Sequence, residues 1–247
     1  MEFTDIHCHI IPQVDDGSDS IETSLRLVQM MYDDGIRKVV TTPHFGIINP
    51  SYDPVRVTER FELLSAKVGE IYPDMKLYRG NEIFFAPGYS DGLDDGMSCT
   101  LAGSSYVLAE FDDGVDYDTV VHIFRRLLLR GYSPVWAHAE RYMHVYRNTK
   151  GLRSIVAQGV MVQVNSGSVC TLAEPERRRL FGGNSEKKVL KEMFKEGLVH
   201  FVGTDCHDMP DRKPSMTEAA RVLTDLIGED KTREIMIENP GFVLAGV

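Results

Sequence analysis

Thiols are scarce in this chain, and none is paired by spacing. Cys8, Cys99, Cys170 and Cys206 are spread over 247 residues with no Cys-x-x-Cys interval, so no small disulfide framework is suggested. Basic residues are outnumbered, with 27 Lys and Arg against 37 Asp and Glu for a formal charge of -10. That balance argues against broad binding to nucleic acid or to an anionic membrane. It does not exclude an anionic substrate, because bound metal ions reverse the local field. No apolar run approaches a membrane span, and the first residues enter a strand pattern without a basic-then-apolar leader. A reduced, cytoplasmic protein is the expectation. Internal repeats, low-complexity linkers and a Gly-rich dinucleotide turn are also missing.

What is present is a core-forming composition, 43% hydrophobic, at a length that suits one large domain over 1–247. The N-terminal stretch Phe3-Thr4-Asp5-Ile6-His7-Cys8-His9-Ile10 reads as a buried strand, followed by Asp15-Asp16-Gly17. Side chains two apart on a strand share a face. His7 and His9 therefore look one way, and Ile6, Cys8 and Ile10 the other. Two imidazoles side by side suit a metal better than an apolar core.

Beyond this strand the pattern alternates. Helices are expected over about Asp19–Gly35, Pro54–Tyr72, Tyr117–Arg130, Thr149–Gln158, Ser185–Glu196, Ser215–Ile227 and Asp230–Glu238. Strands are expected over Lys38–His44, Lys76–Phe84, Tyr106–Phe111, Ser133–Ala139, Val160–Asn165 and Leu198–Thr204. The stretch Ser166–Gly183 reads as irregular and part-helical. Strand–helix alternation implies a parallel sheet, and about seven such units favour an α/β barrel over an open sheet.

In such a barrel the active site lies at the C-terminal ends of the strands. Those ends carry His7 and His9, His44, Glu82, Glu110, His138, Asn165, then Asp205 and His207. Singly, each has a structural explanation: His44 could cap a loop, and Glu82 or Glu110 could pair with Arg79 or Arg141. A glutamate inside Val107-Leu108-Ala109-Glu110-Phe111 is nevertheless unfavourable unless paired or ligated. Recurrence at successive strand ends predicts a multinuclear metal site. Asp15 or Asp16 could add a ligand from the first loop, with Asp16 preferred. Mixed imidazoles and carboxylates suit Mn, Fe or Zn. Two or three divalent ions would use the set, with Glu82 as a bridge. Cys8 and Cys206 alternate with ligands, so strand parity turns them into the core.

Clustered metals make hydroxide from water and hold phosphoryl oxygens. Arg141 follows the fifth strand and Arg212 the seventh, and a guanidinium pairs bidentately with phosphate. Cys206 and Arg212 also have the Cys-x5-Arg spacing of thiol phosphatases. Here Asp208 and Asp211 would oppose a phosphate, and Pro210 lacks the N–H that such a loop needs. His122, His144 and His200 fall away from strand ends and are assigned no role.

These motifs resemble the PHP (polymerase and histidinol phosphatase) superfamily and, within it, the bacterial capsule and exopolysaccharide tyrosine-protein phosphatases. The resemblance covers essentially the whole chain. It is carried by Asp5-Ile6-His7-Cys8-His9-Ile10, Val14-Asp15-Asp16-Gly17, Thr42-Pro43-His44, Gly80-Asn81-Glu82-Ile83, Glu110-Phe111, Ala137-His138-Ala139-Glu140-Arg141-Tyr142, Gln163-Val164-Asn165-Ser166-Gly167-Ser168 and Thr204-Asp205-Cys206-His207. It implies a distorted TIM-like (β/α)7 barrel, the PHP fold, with a trinuclear and typically manganese-activated centre. His7, His9, Glu82 and Asp205 would hold one ion, Glu82, Glu110 and His138 a second, and Asp16, His44 and His207 the third. Arg141 and Arg212 match phosphate-binding positions. The implied substrate is phosphotyrosine on a bacterial tyrosine autokinase that controls polysaccharide export. The loop Phe45-Gly46-Ile47-Ile48-Asn49-Pro50 departs from the basic loop of some relatives, and Asp-Arg-Lys-Pro around Arg212 only approximates the family's arginine loop. A phosphatase for a small metabolite such as histidinol phosphate, or a nuclease, would share the metals. A scaffold that has lost catalysis would bind them without turnover.

Overall fold

The computed structural model describes residues 2–146, 148–174, 185–208 and 212–245. Part of the 166–183 stretch and the residues Met209, Pro210 and Asp211 of the Cys-x5-Arg spacing lie outside these. Among the described residues the strands are β1 (Phe3–Asp5), β2 (Ile36–Thr41), β3 (His44–Phe45), β4 (Lys76–Arg79), β5 (Glu82–Phe85), β6 (Tyr106–Phe111), β7 (Ser133–Trp136), β8 (Met161–Asn165) and β9 (Phe201–Gly203). The longer helices are α1 (Ile21–Asp33), α2 (Pro54–Ile71) and α3 (Tyr117–Leu129). The later helices most relevant here are Thr149–Val156, Ser166–Cys170, Ser185–Lys195 and Met216–Ile227.

Local chemistry sets these boundaries. The Ser20 side chain accepts from Thr23 N to start α1, Asp53 accepts from Val55 N and Arg56 N to start α2, and Asp116 accepts from Thr119 N to start α3. Pro54 in the first turn of α2 has no N–H to leave unpaired. Gly131, with φ of 83°, takes the left-handed turn that releases the chain from α3 toward β7.

All strand pairs are parallel, in a three-stranded sheet β1-β2-β4 and a six-stranded sheet β3-β5-β6-β7-β8-β9. The expected second and third strands are each interrupted. Pro43, which cannot donate, separates β2 from β3, and Gly80-Asn81 separates β4 from β5. Hydrogen bonds span the break, from Gly80 N to Thr41 O at 2.9 Å and from Asn81 Nδ2 to Pro43 O at 2.9 Å. Regular pairing thus gives two parallel sheets rather than one closed ladder.

The chain beyond β9 returns to the chain beyond β1. Asp205 N donates to His7 O at 2.8 Å, His9 N donates to Cys206 O at 2.9 Å, and Cys8 and Cys206 form a parallel bridge. The buried Asp5 carboxylate reinforces this seam by accepting from His7 N at 3.1 Å, Thr204 N at 3.0 Å and the Thr204 hydroxyl. A compact apolar cluster of Ile6, Val40, Leu108, Val135, Phe201, Val243 and Leu244 fills one region of the core. Leu108 lies one same-face step before Glu110 on β6, so this cluster leads directly to the polar strand ends. No helix among the described residues is long and apolar enough to cross a membrane.

Candidate metal centre

The polar side chains gather where strands end or, at the breaks after β2 and β4, where the next strand begins. His7 and His9 follow β1, His44 opens β3 and Glu82 opens β5. Glu110 closes β6, His138 follows β7, and Asp205 and His207 follow β9. Two of these positions use unusual backbone. His138 has φ of 31° and Asp205 has φ of 50°, each a left-handed conformation that costs a non-glycine residue about 1–3 kcal/mol. The surrounding hydrogen bonds at the β9–β1 seam and beside β7 hold them there.

Glu82 is the hub. Its Oε2 lies 3.2 Å from His7 Nε2, 3.2 Å from His9 Nε2 and 3.1 Å from His44 Nδ1. Its Oε1 lies 2.8 Å from His138 Nε2, which is also 3.3 Å from Glu110 Oε1. Asp205 Oδ1 approaches His7 Nε2 at 3.5 Å and His9 Nε2 at 3.6 Å. On the outer side, Asp16 Oδ1 lies 3.3 Å from His44 Nε2 and 3.4 Å from His207 Nε2. Donor atoms close enough to share an ion form four overlapping groups: His9-Asp16-His44-His207, His7-His9-Glu82, His7-His138-Asp205 and His44-Glu82-Glu110. All the side chains expected as ligands from the sequence are therefore brought together.

The arrangement fits divalent metal. His9 Nδ1 donates to Asp15 Oδ2 at 2.8 Å and His7 Nδ1 donates to Gln163 Oε1 at 3.0 Å. With these tautomers fixed, the two Nε2 lone pairs face each other at 3.2 Å and both face the Glu82 carboxylate. Deprotonated, those lone pairs repel unless a cation stands between them, and in the ion-free protein the proton on His9 fills that place. Glu82 Oε2, Glu110 Oε2, His44 Nδ1 and His138 Nδ1 are buried without hydrogen-bond partners, an expensive condition for polar atoms. Separations of 3.1–3.6 Å between donors match the edges of a shell with metal–ligand bonds of about 2.1 Å.

Electrostatics point the same way. Burial opposes charge on Glu82, but His7 and His138 hold its carboxyl well below the usual range. Burial likewise pulls His9 and His138 down. Asp15 and Glu82 override this at His9 and set it at about 9, while Glu82 and Glu110 set His138 at about 10. Contacts with His207 and His44 lower Asp16. Without ions, protons occupy the positions that compensate the buried carboxylates.

Asp15 and Asp16 separate by role. Asp15 is consumed by the His9 ring, by His44 N at 3.1 Å and by Gly17 N at 3.1 Å, while Asp16 stands among the donor atoms. Gly17 is required here by close approach. A Cβ at that position would lie 2.1 Å from His9 O and 2.5 Å from His9 Cβ. Gly17→Ala is expected to lower Tm by about 4–10 °C and to shrink the further rise in Tm that added Mn gives. Thermal melts with and without Mn check both effects.

Both arginines reach the rim of the centre. Arg141 Nη2 lies 2.6 Å from Asp205 Oδ2, and Arg212 Nη2 approaches the same oxygen at 3.5 Å. Their side chains remain 35% and 30% exposed, so each has donors left to face an incoming anion. Asp16, His44 and Glu110 complete the more open side, whereas His7, His9, Glu82, His138 and Asp205 form the buried side.

A supporting relay was not assigned from sequence. Gln163 Oε1 accepts from both His7 Nδ1 and His138 N, Gln163 Nε2 donates to Asn165 Oδ1, and Asn165 Nδ2 donates to Asp205 Oδ2. Polar residues two apart on the otherwise apolar β8 were the available signal. Glu140 is similarly engaged, accepting from Asn165 N and the Ser168 hydroxyl. Cys206 is completely buried, and burial together with Asp5 pushes its thiol far above its ordinary value. That is the opposite of a thiolate nucleophile.

Known proteins resemble this chain in sequence and in structure. Tyrosine-protein phosphatase CpsB of Streptococcus pneumoniae is 30% identical over 240 residues, covering 96% of each chain. Tyrosine-protein phosphatase YwqE of Bacillus subtilis (strain 168) is 28% identical over 226 residues, covering 92% of this chain and 85% of that one. A chain from the crystal structures of YwqE from Bacillus subtilis and CpsB from Streptococcus pneumoniae, described as metal-dependent tyrosine phosphatases, matches with a TM-score of 0.85 at 28% identity. That match covers 98% of this chain and 94% of the other. Residues 3–245 fit the family described as capsular polysaccharide synthesis, CpsB/CapC, and the chain belongs to that family.

Proposed function

We propose that this chain is a metal-dependent protein-tyrosine phosphatase that hydrolyses phosphotyrosine on a bacterial tyrosine autokinase controlling capsule or exopolysaccharide synthesis. The reading rests above all on one observation: imidazoles and carboxylates from successive strand ends converge on Glu82, with Arg141 and Arg212 at the rim. We take the ligands to be His7, His9, Asp16, His44, Glu82, Glu110, His138, Asp205 and His207, holding two or three divalent ions, with Mn preferred over Fe or Zn. We also read the two parallel sheets and the β9–β1 seam as one distorted (β/α)7 barrel, forming a single domain in the cytoplasm.

Bound there, the ions would lower the pKa of water toward neutrality and neutralise phosphoryl oxygens. The protein's own part is positioning and charge. Arg141 and Arg212 turn their free N–H groups to the phosphate and offset negative charge as the P–O bond to the ring breaks. Asp205 anchors the Arg141 guanidinium at 2.6 Å, and Arg212 rests its Nη1 against the His207 ring with Asp205 at 3.5 Å, so their approach is set before substrate arrives. The departing phenolate has a pKa of about 10 and needs less protonation than an alkoxide.

Steady-state rates of the Mn-loaded protein on a phosphotyrosine peptide, histidinol phosphate and single-stranded DNA test the reading. The peptide is expected to be favoured in kcat/KM by about 100-fold or more. Preference for histidinol phosphate or DNA would replace it with the corresponding metabolite phosphatase or nuclease.

A further inference from the structure

Beside Asp16 and His44 opens a cavity of about 390 Å³, walled by Gln13, Val14, Ile48, Asn49, Pro50 and Arg56. We propose that this cavity seats the polypeptide flanking the phosphotyrosine, and that Arg56 selects substrates carrying an acidic side chain there. The proposal deepens the phosphatase reading and rests on it.

The cavity is continuous with the candidate centre, because Asp15, Asp16 and His44 line it too. A phosphoryl group held among those donors would leave the substrate backbone at its mouth. The walls are held in place by hydrogen bonds. Asn49 Nδ2 donates to Val14 O at 2.9 Å and to His44 O at 3.0 Å, and Ser51 Oγ donates to Asn49 Oδ1 at 3.2 Å. The 45–52 loop is thereby tied to the first loop, and a subsite formed in advance loses little entropy on binding. Ile47 and Ile48 on that loop are 43% and 44% exposed and offer apolar contact to an extended peptide.

Charge makes the site selective. Asp15 is occupied by His9 and His44 N, and Asp16 stands among the metal donors. Arg56 supplies the positive charge of the lining, is exposed, and has no carboxylate partner among the described residues. The loop from Phe45 to Tyr52 contains no cation, so Arg56 on the first turn of α2 is the positive group on this side of the mouth. In a chain with a formal charge of -10, a free guanidinium beside an anion-processing centre favours peptides with Asp or Glu near the phosphotyrosine.

The test compares kcat/KM on phosphotyrosine peptides that differ only in flanking Glu, Gln or Lys, placed on either side, with free phosphotyrosine in parallel. The wild type is expected to favour the Glu peptide over the Gln peptide by about three- to fivefold, as for an exposed ion pair. Arg56→Ala should bring that ratio to one, and Arg56→Glu should invert the preference toward the Lys peptide. A wild type indifferent to flanking charge, or a Glu preference that survives both substitutions, would overturn the subsite while leaving the phosphatase reading intact. No turnover of free phosphotyrosine or of any peptide would overturn the phosphatase reading and the subsite with it.

Discussion

Glu82→Gln is expected to reduce kcat on the order of 10³-fold while leaving the fold intact. The substitution keeps the shape of the side chain and removes its charge, together with one of its two acceptor oxygens. At this position both oxygens are used. Oε2 faces His7, His9 and His44, and Oε1 faces His138. An amide nitrogen at either position would point hydrogens at lone pairs that must remain free for metal. Losing one preorganised electrostatic group in a water-poor site costs about 10²–10³ in rate, and Glu82 serves more than one donor group. Bound metal, measured by elemental analysis after desalting, should fall in the same variant. Activity within about tenfold of wild type would mean that Glu82 is a structural ion-pair partner and not the hub of a metal centre.

Metal uptake is expected to release protons and to strengthen steeply with pH. In the ion-free protein His9 sits at about 9 and His138 at about 10, raised against the pull of burial by Asp15, Glu82 and Glu110. Both are therefore protonated at pH 7, and both must lose that proton to become ligands. Each proton released steepens the dependence by about tenfold in affinity per pH unit. The apparent affinity should climb from pH 7 upward, less steeply as pH passes 9 and then 10. His44, held higher still against burial by Asp16, Glu110 and Glu82, keeps it rising beyond. The sign for stability is opposite. A histidine raised above its unfolded value stabilises the ion-free fold fully below about 6.5, and that contribution is lost as pH rises through 9 and 10. Ion-free protein should lose Tm on the alkaline side, and Mn-loaded protein should not follow it. Calorimetric titration with Mn in two buffers of different ionisation enthalpy counts the protons. Equal heats in both buffers at pH 7 would contradict this picture.

The polar strand ends were legible in the sequence because a buried parallel strand has few reasons to carry His or Glu. Glu82, Glu110 and His138 stand out against runs such as Val107-Leu108-Ala109, and Cys8 and Cys206 are buried as strand parity implies. However, β1 ends at Asp5 rather than running to Ile10, and the two cysteines meet in an isolated parallel bridge. Helix boundaries were close for α1, α2 and α3, where Ser20, Asp53 and Asp116 cap their own N-termini. The interruption of two strands was less visible. The pattern over Lys38–His44 reads as one strand, but the ladder breaks at Pro43, and His44 and Phe45 continue in the second sheet, paired with Glu82 and Ile83. The relay from Gln163 through Asn165 to Asp205, and the clamp of Asp5 on Thr204, join residues 40 and 199 positions apart. Local periodicity carries no record of such partners. Asp15 and Asp16 are adjacent and chemically identical, so only the fold separates the one that holds His9 from the one that faces His44 and His207.

The most direct test of the account is hydrolysis of a phosphotyrosine peptide by metal-stripped protein, with and without added Mn, beside Cys206→Ser and His138→Ala treated in the same way. The account predicts that stripping abolishes turnover and Mn restores it. Cys206→Ser should behave as wild type, because that thiol is buried and held protonated. His138→Ala should remain inactive with Mn. Undiminished turnover after stripping, together with its loss in Cys206→Ser, would contradict the metal centre and return the chemistry to the cysteine.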